Sequence, residues 1–197
     1  MKTVKLYNGT VTVKFDEVKH RYYVDGVYKP GVTTFLKVIN KPALIPWAVK
    51  QTVEHVRIHL DDLASGKITI DKFNTNEILY GASRAADKIR DTAAETGTAI
   101  HKWCEQYIKR QRPEMPDDPK ILNGVNAFLH WKDEHNVKLL HSEKITYSRK
   151  YDYTGIIDII AEVDGKPCIV DIKTSNGIYD EMRLQVAAYY RPSEKDS

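Results

Sequence analysis

The segment Asp171-Ile172-Lys173 closes a short apolar run, CIVDIK. Residues two apart on a strand point to the same side. Asp171 and Lys173 therefore project together, while Val170 and Ile172 face the other way. An acid and a lysine so placed either form a strand-end ion pair or act together on a charged substrate. A second acid, Asp158, sits inside GIIDIIA with isoleucines on both sides. A strand buried on both faces reads as such a run, and a carboxylate within it is expensive to bury alone. It has to be protonated, paired with a lysine or arginine at the strand's rim, or bound to a metal. Asp164-Gly165 reads as a tight turn between the two strands, which predicts that residues 158 and 171 lie at about the same level. Two carboxylates that converge repel, and a divalent cation resolves the conflict. An oxygen-rich site of this kind suits Mg²⁺ or Mn²⁺, as one ion or two.

Further groups with chemical capacity lie on either side. His101, in GTAIH, and Glu105 are four apart and share a helix face, a pattern that also suits a surface or core histidine. Glu143 falls in LLHSEKITY, where it is either a site acid or an exposed strand acid. Gln185 and Tyr189 share one face of the last helix and equally suit plain packing. His55 and His59 are four apart without the glutamate of a zinc-protease helix, which favours a solvated face. Cys104 follows His101 by three residues, but Trp103 and Ile108 beside it indicate packing. Tyr22, Tyr23, Tyr28, Phe35 and Trp47 are either base-stacking or core residues, with core the plainer reading. Lys109, Arg110 and Arg112 suit phosphate contacts or a helix C-terminus equally.

The elements that must carry these residues follow from periodicity and turn chemistry. Residues 10–15 alternate as a strand, and RYYVDGVYKPGVTT reads as a hairpin turning at Asp25-Gly26. Thr33 or Thr34 caps a short helix through Asn40, ended by Pro42. Residues 43–64 read as helix, GKITIDKFNTN as a linker, 77–112 as helix with a break or close-packing point at Gly97, and 120–135 as an amphipathic helix. VKLLHSEKITYS, YTGIIDIIAEVDG and KPCIVDIKTS read as three consecutive strands, and 180–190 returns to helix. A boundary near residue 70 would divide the chain into 1–70, hairpin and helices, and 71–197, the α/β part.

The bulk composition sets limits. A chain of 197 residues, 42% hydrophobic, has enough apolar matter for a core, which argues against wholesale disorder. The formal charge of +3 fits a polyanionic partner without demanding one. Two cysteines and no CxxC argue against a disulfide scaffold and favour a reducing, cytoplasmic setting. The N-terminal MKTVKLYNGTVTVKF lacks a signal-peptide run, and no stretch nears the roughly 18 apolar residues of a membrane span. No membrane association is expected.

Taken in order, GTAIH, Glu143, YTGIID, VDIKTS and QVAAY resemble the RecB-like nucleases of the PD-(D/E)XK superfamily over roughly residues 95–190. The upstream GVTTFLKVINKPALIPWAV is similar to the helical lead-in of phage exonucleases and of mitochondrial genome maintenance exonucleases. The resemblance implies an α/β, restriction-endonuclease-like core: a mixed central sheet flanked by helices, with an N-terminal hairpin and helical extension. It implies that Asp158, Asp171, the carbonyl of Ile172 and His101 hold Mg²⁺ or Mn²⁺. Lys173 would orient the attacking water and stabilise charge on the phosphate. Glu143 would bind a second ion or orient water. Gln185, Tyr189 and Glu105 would support the site or the nucleic-acid backbone, and Gly155 would permit close approach at the strand start. The implied reaction is phosphodiester hydrolysis in DNA, single strands or ends favoured, by an exonuclease; a structure-specific endonuclease and a non-catalytic nucleic-acid-binding module are the alternatives. Two features depart from the pattern. Some relatives carry four cysteines for an iron–sulfur cluster, so with two no cluster is expected here. The chain also ends soon after QVAAYY, so a last core strand is expected to be missing or supplied from elsewhere.

Overall fold

The computed structural model describes residues 1–39, 41–69 and 71–193. Its element order is β1 (Lys2–Leu6), β2 (Val11–Asp16), β3 (Arg21–Val24), β4 (Val27–Lys29), α1 (Val32–Leu36), α2 (Leu44–Ala64), α3 (Lys72–Ile108), α4 (Pro119–Glu134), β5 (Val137–Ser148), β6 (Tyr153–Val163), β7 (Lys166–Val170) and α5 (Asp180–Ser193). The chain is therefore a mixed α and β protein. Its contacts divide it into two units, one of residues 1–39 with 97–197 and one of residues 40–96. The division does not fall at residue 70. The N-terminal strands belong with β5–β7 because they share a core: Val11, Val13, Phe15, Tyr22 and Val24 are buried together with Ile145, and Ile156 packs against them.

Both sheets are antiparallel, in the orders β1-β2-β3-β4 and β5-β6-β7. This corrects the mixed sheet expected from the sequence. The reason lies in the connections: β5 to β6 and β6 to β7 are joined by short turns, and parallel pairing needs a crossover of a dozen or more residues. Among the described residues the one parallel pairing is an isolated bridge between Gly31 and Thr154. β1 also had no counterpart in the sequence reading.

Local chemistry explains most element ends. Val24 pairs Val27 across Asp25-Gly26, where φ is 47° and 87°, the left-handed values that a two-residue turn requires. Asp164 and Gly165 repeat this at 52° and 78° between β6 and β7. α1 is capped by Gly31 with no side-chain bond, so the threonine cap expected there is not made. Asn40, its expected end, lies outside the described residues. Pro46 is accommodated in the first turn of α2, whose N–H groups lack helical partners in any case. Asp118 caps α4 by accepting from Lys120 N and Ile121 N. α3 begins at Lys72, so part of the expected linker is helix, and it passes through Gly97 without a break. Gly97 instead marks close packing: a Cβ there would stand 3.1 Å from Thr174 Oγ1.

The largest cluster of buried residues joins α3, α4 and β6 through Ile100, Trp103, Cys104, Val125, Phe128, Ile159 and Ala161. Truncating an isoleucine such as Ile159 to alanine there would cost about 2–5 kcal/mol. This packing fixes the His101 turn of α3 beside the middle of β6. A smaller cluster of Val32, Ile157 and Tyr189 holds α1 and α5 against β6. Ile169 packs against it from β7.

Candidate active site

The last ladder pair between β6 and β7 is Ile159 with Val170. Asp158 and Asp171 are the next residues beyond it, so they stand level, as the turn length predicts. The two are not equivalent. The Asp158 side chain is 16% exposed, and its Oδ2 accepts the backbone N–H of Ile172 at 2.9 Å. The Asp171 side chain is 3% exposed. Its Oδ1 accepts from Gln185 Nε2 at 3.1 Å, and its Oδ2 touches the Lys173 ammonium in an ion pair without a well-directed hydrogen bond. Burial first, and then the charge of Asp171, push the Asp158 carboxyl above its ordinary value; His101, the Ile172 N–H and Lys173 pull the other way. Two acids are thus held in a dry place where one resists ionisation.

His101 is placed on the same group of atoms from α3. Its Nε2 donates to the Ile172 carbonyl at 3.0 Å, which leaves Nδ1 3.5 Å from Asp158 Oδ2. Both backbone polar groups of Ile172 are therefore held: Asp158 takes its N–H and His101 takes its C=O. α5 supplies the next layer. Gln185 Nε2 donates to Tyr189 OH at 3.0 Å as well as to Asp171. Tyr189 is 4% exposed, and its pKa is pushed up to about 12, mainly by burial. It packs where Gly155 has no side chain: a Cβ at 155 would meet Tyr189 Cε1 at 2.5 Å. The group that comes close at Gly155 is this side-chain ring.

Glu143 lies in β5 between the pairs Ser142–Ile159 and Lys144–Ile157, level with Asp158. Its φ is 51°. A left-handed glutamate within a strand is strained, by roughly 1–3 kcal/mol for a non-glycine residue, and persists only where its surroundings hold it. Burial raises its pKa, followed by Asp158 and Glu105; Lys2 and His101 lower it. Glu105 stands apart from the cleft and pairs with Lys109. Its expected support of the site is limited to its charge.

These residues line a cleft of about 240 Å³: His101, Glu143, Asp158, Lys173, Gln185 and Tyr189 on one hand, and His20, Tyr22, Val32 and Thr33 from the N-terminal strands and α1 on the other. The second set was not marked as site residues by the sequence. Tyr22 reads there as a core aromatic, and its buried ring is that; nothing local announces that its hydroxyl end meets a cleft. Groups set aside from the sequence stay aside. Cys104 is buried, and burial pushes its thiol up to about 12. The His55 and His59 rings contact each other, with His59 Nδ1 2.8 Å from the His55 carbonyl.

The donor types suit a hard divalent cation: two carboxylates, a peptide carbonyl and an imidazole. As they stand the donors are paired with one another. Among the described residues no three His, Cys, Asp or Glu side chains surround one point. Receiving an ion would require Lys173 to leave Asp171 Oδ2 and the His101 ring to turn from Ile172. The buried acid pair gives the reason for doing so, since a cation removes its repulsion. Among the described residues no helix is long and apolar enough to cross a membrane. No protein-family model matches the chain, and no curated protein matches it in sequence.

Proposed function

We propose that this chain is a PD-(D/E)XK-type nuclease that hydrolyses phosphodiester bonds in DNA with Mg²⁺ or Mn²⁺, acting as an exonuclease from free ends. The observation that carries this reading is the level placement of Asp158 and Asp171 at the end of the β6–β7 ladder, with Lys173 in contact with Asp171 and His101 closing on Asp158. A structural ion pair needs one acid and one base. Here two acids stand level, and the one with a raised pKa, Asp158, lines a cleft with Glu143 and Lys173 that is large enough for a phosphate and part of a sugar.

Asp158, Asp171, the Ile172 carbonyl and His101 would hold the cation, which when bound supplies a reactive water at neutral pH and neutralises charge on the phosphate. The protein's own residues have separate tasks. Lys173, freed from Asp171 when that acid turns to the cation, stays in the cleft lining, where the ammonium can meet the phosphate oxygens as charge builds on them. Gln185 fixes Asp171 against Tyr189, so that the acid cannot swing away. Glu143, a carboxylate whose pKa burial raises above its ordinary value, lines the cleft and is suited to take a proton from water there.

The test is incubation with linear DNA and with covalently closed single-stranded circles, in Mg²⁺, Mn²⁺ or EDTA. Degradation of linear DNA alone, abolished by EDTA, is expected. Rapid cutting of circles would make the protein an endonuclease. No hydrolysis of either with Mg²⁺ or Mn²⁺ would remove the proposal.

A further inference from the structure

Tyr22 is 6% exposed, yet its hydroxyl has no hydrogen-bond partner among the described residues. Its ring is fixed on three sides. Phe15 stacks on it with centroids 4.7 Å apart, His20 meets it edge-on at 6.3 Å, and a Cβ at Gly31 would stand 2.9 Å from its Cε2. Tyr22 lines the cleft that also contains Asp158 and Lys173, and its hydroxyl is close enough to Glu143 and Tyr189 for their charges to act on it. The hydroxyl is not sealed from solvent, since the buried polar atoms without a hydrogen-bond partner among the described residues are Ser142 Oγ and Asp171 Oδ2; it is a donor open to the cleft on a ring that cannot turn away.

The donors around it are differently placed. His101 donates to the Ile172 carbonyl, Lys173 is in contact with Asp171, and Gln185 donates to Asp171 and Tyr189. Each is committed inside the protein. Tyr22 is not, and neither is His20, which also lines the cleft, makes no hydrogen bond among the described residues and sits on a left-handed backbone at φ 49°. Burial, followed by Tyr189 and Glu143, holds the Tyr22 phenol well above its ordinary pKa, so it stays protonated and acts as a donor. A protonated phenol that faces the cleft with no acceptor in the protein is able to donate to an acceptor brought in from outside.

We infer that Tyr22, with His20 beside it, contacts the substrate, the Tyr22 phenol donating to a phosphate oxygen of the bound strand. The inference rests on the nuclease reading and extends the substrate-binding surface to β3 and the β2–β3 turn. Both are positioning residues in this account. They take no part in activating water.

The test uses the full chain, the variants Tyr22→Phe and His20→Asn, and a short fluorescent single-stranded DNA. Asparagine is chosen at 20 because it tolerates the left-handed backbone. Binding is read by anisotropy in Ca²⁺, and cleavage in Mg²⁺ is read separately as kcat and KM. Removing one hydrogen bond to a charged phosphate should weaken binding about tenfold in Tyr22→Phe, with Tm and kcat near the parent's and KM raised. His20→Asn should show a smaller loss in the same direction. Parent-like affinity and KM in Tyr22→Phe would overturn the inference while leaving the nuclease reading intact. A parent that binds DNA with this dependence on Tyr22 but never cleaves it would overturn the nuclease reading and keep the contact. A parent that binds no DNA would overturn both.

Discussion

Asp158 and His101 hold the backbone of one residue from both sides: Asp158 Oδ2 accepts the N–H of Ile172 and His101 Nε2 donates to its C=O. Ile172 is the one residue between Asp171 and Lys173, so the two peptide units held at it set where both project. The grip also makes Asp158 serve two purposes, as an acceptor and as half of an acid pair.

Asp158→Asn separates them. The amide oxygen can still accept from Ile172, while the charge facing Asp171 is gone. The metal-free variant should melt higher than the parent, by about 2–4 °C if roughly 1 kcal/mol of repulsion is relieved. Cleavage of linear DNA should fall by at least about 100-fold. Differential scanning fluorimetry and a rate assay on one preparation check both. A lower Tm would show that the charge itself stabilises the fold.

The raised pKa values of Asp158 and Glu143 have a definite sign. The folded state holds these protons more tightly than the unfolded chain does. Stability from these groups is therefore present below their unfolded values and declines as pH rises through the folded ones. The metal-free protein should lose stability on their account as pH rises above the ordinary carboxylate range. Cations compete with the same protons, so Mn²⁺ should raise Tm more at pH 7.5 than at pH 5. An equal rise at both values would place Mn²⁺ elsewhere.

Lys173→Ala tests whether the ammonium acts on the substrate or only on Asp171. A group that works mainly on the developing transition state affects turnover more than ground-state binding. The variant should bind Mn²⁺ and DNA nearly as the parent does, yet cleave far more slowly. Near-normal single-turnover cleavage by a less stable variant would reduce Lys173 to a structural ion pair.

Gly155→Ala should act through Tyr189. The added methyl would lie 2.5 Å from a ring carbon, so the ring or β6 must shift. A loss of about 1–3 kcal/mol is expected, with reduced cleavage because Gln185 loses its partner. Combining it with Tyr189→Leu should recover part of the stability and none of the activity. Additive losses would mean that the two positions do not meet.

The two thiols should differ in reactivity. Cys104 is buried with its pKa pushed up to about 12, whereas Cys168 is partly exposed. In the native protein at pH 8, a thiol reagent should label Cys168 first, and both only after denaturation. Rapid labelling of Cys104 would contradict the packing of α3 on β6.

The sequence carries the hairpin of β6 and β7 because its information is local: an Asp-Gly turn and two apolar runs determine which residues stand level. Gln185 and Tyr189 are legible for the same reason, four apart on one helix. The antiparallel order of β5–β7 follows from the short turns, and the mixed sheet came instead from the resemblance. Glu143 shows where local reading stops. Its neighbours give an ordinary strand, and its left-handed backbone is imposed by tertiary packing that no propensity encodes. Tyr22 and His20 reach the cleft across more than a hundred residues of sequence, a proximity with no periodic signature. Glu105 had the right helical spacing, but a lysine one turn further along α3 gave it a nearer partner.

The turn at Asp164-Gly165 functions as a ruler. One residue inserted there would slide β7 by about 3.4 Å against β6 and reverse the side to which each of its residues points. Asp171 would leave the level of Asp158, and the Ile172 N–H would leave its carboxylate. Every acid and base of the cleft would still be present in the chain, in the same order. A two-residue loop at the surface, remote from the chemistry, thus sets whether those residues amount to a site at all.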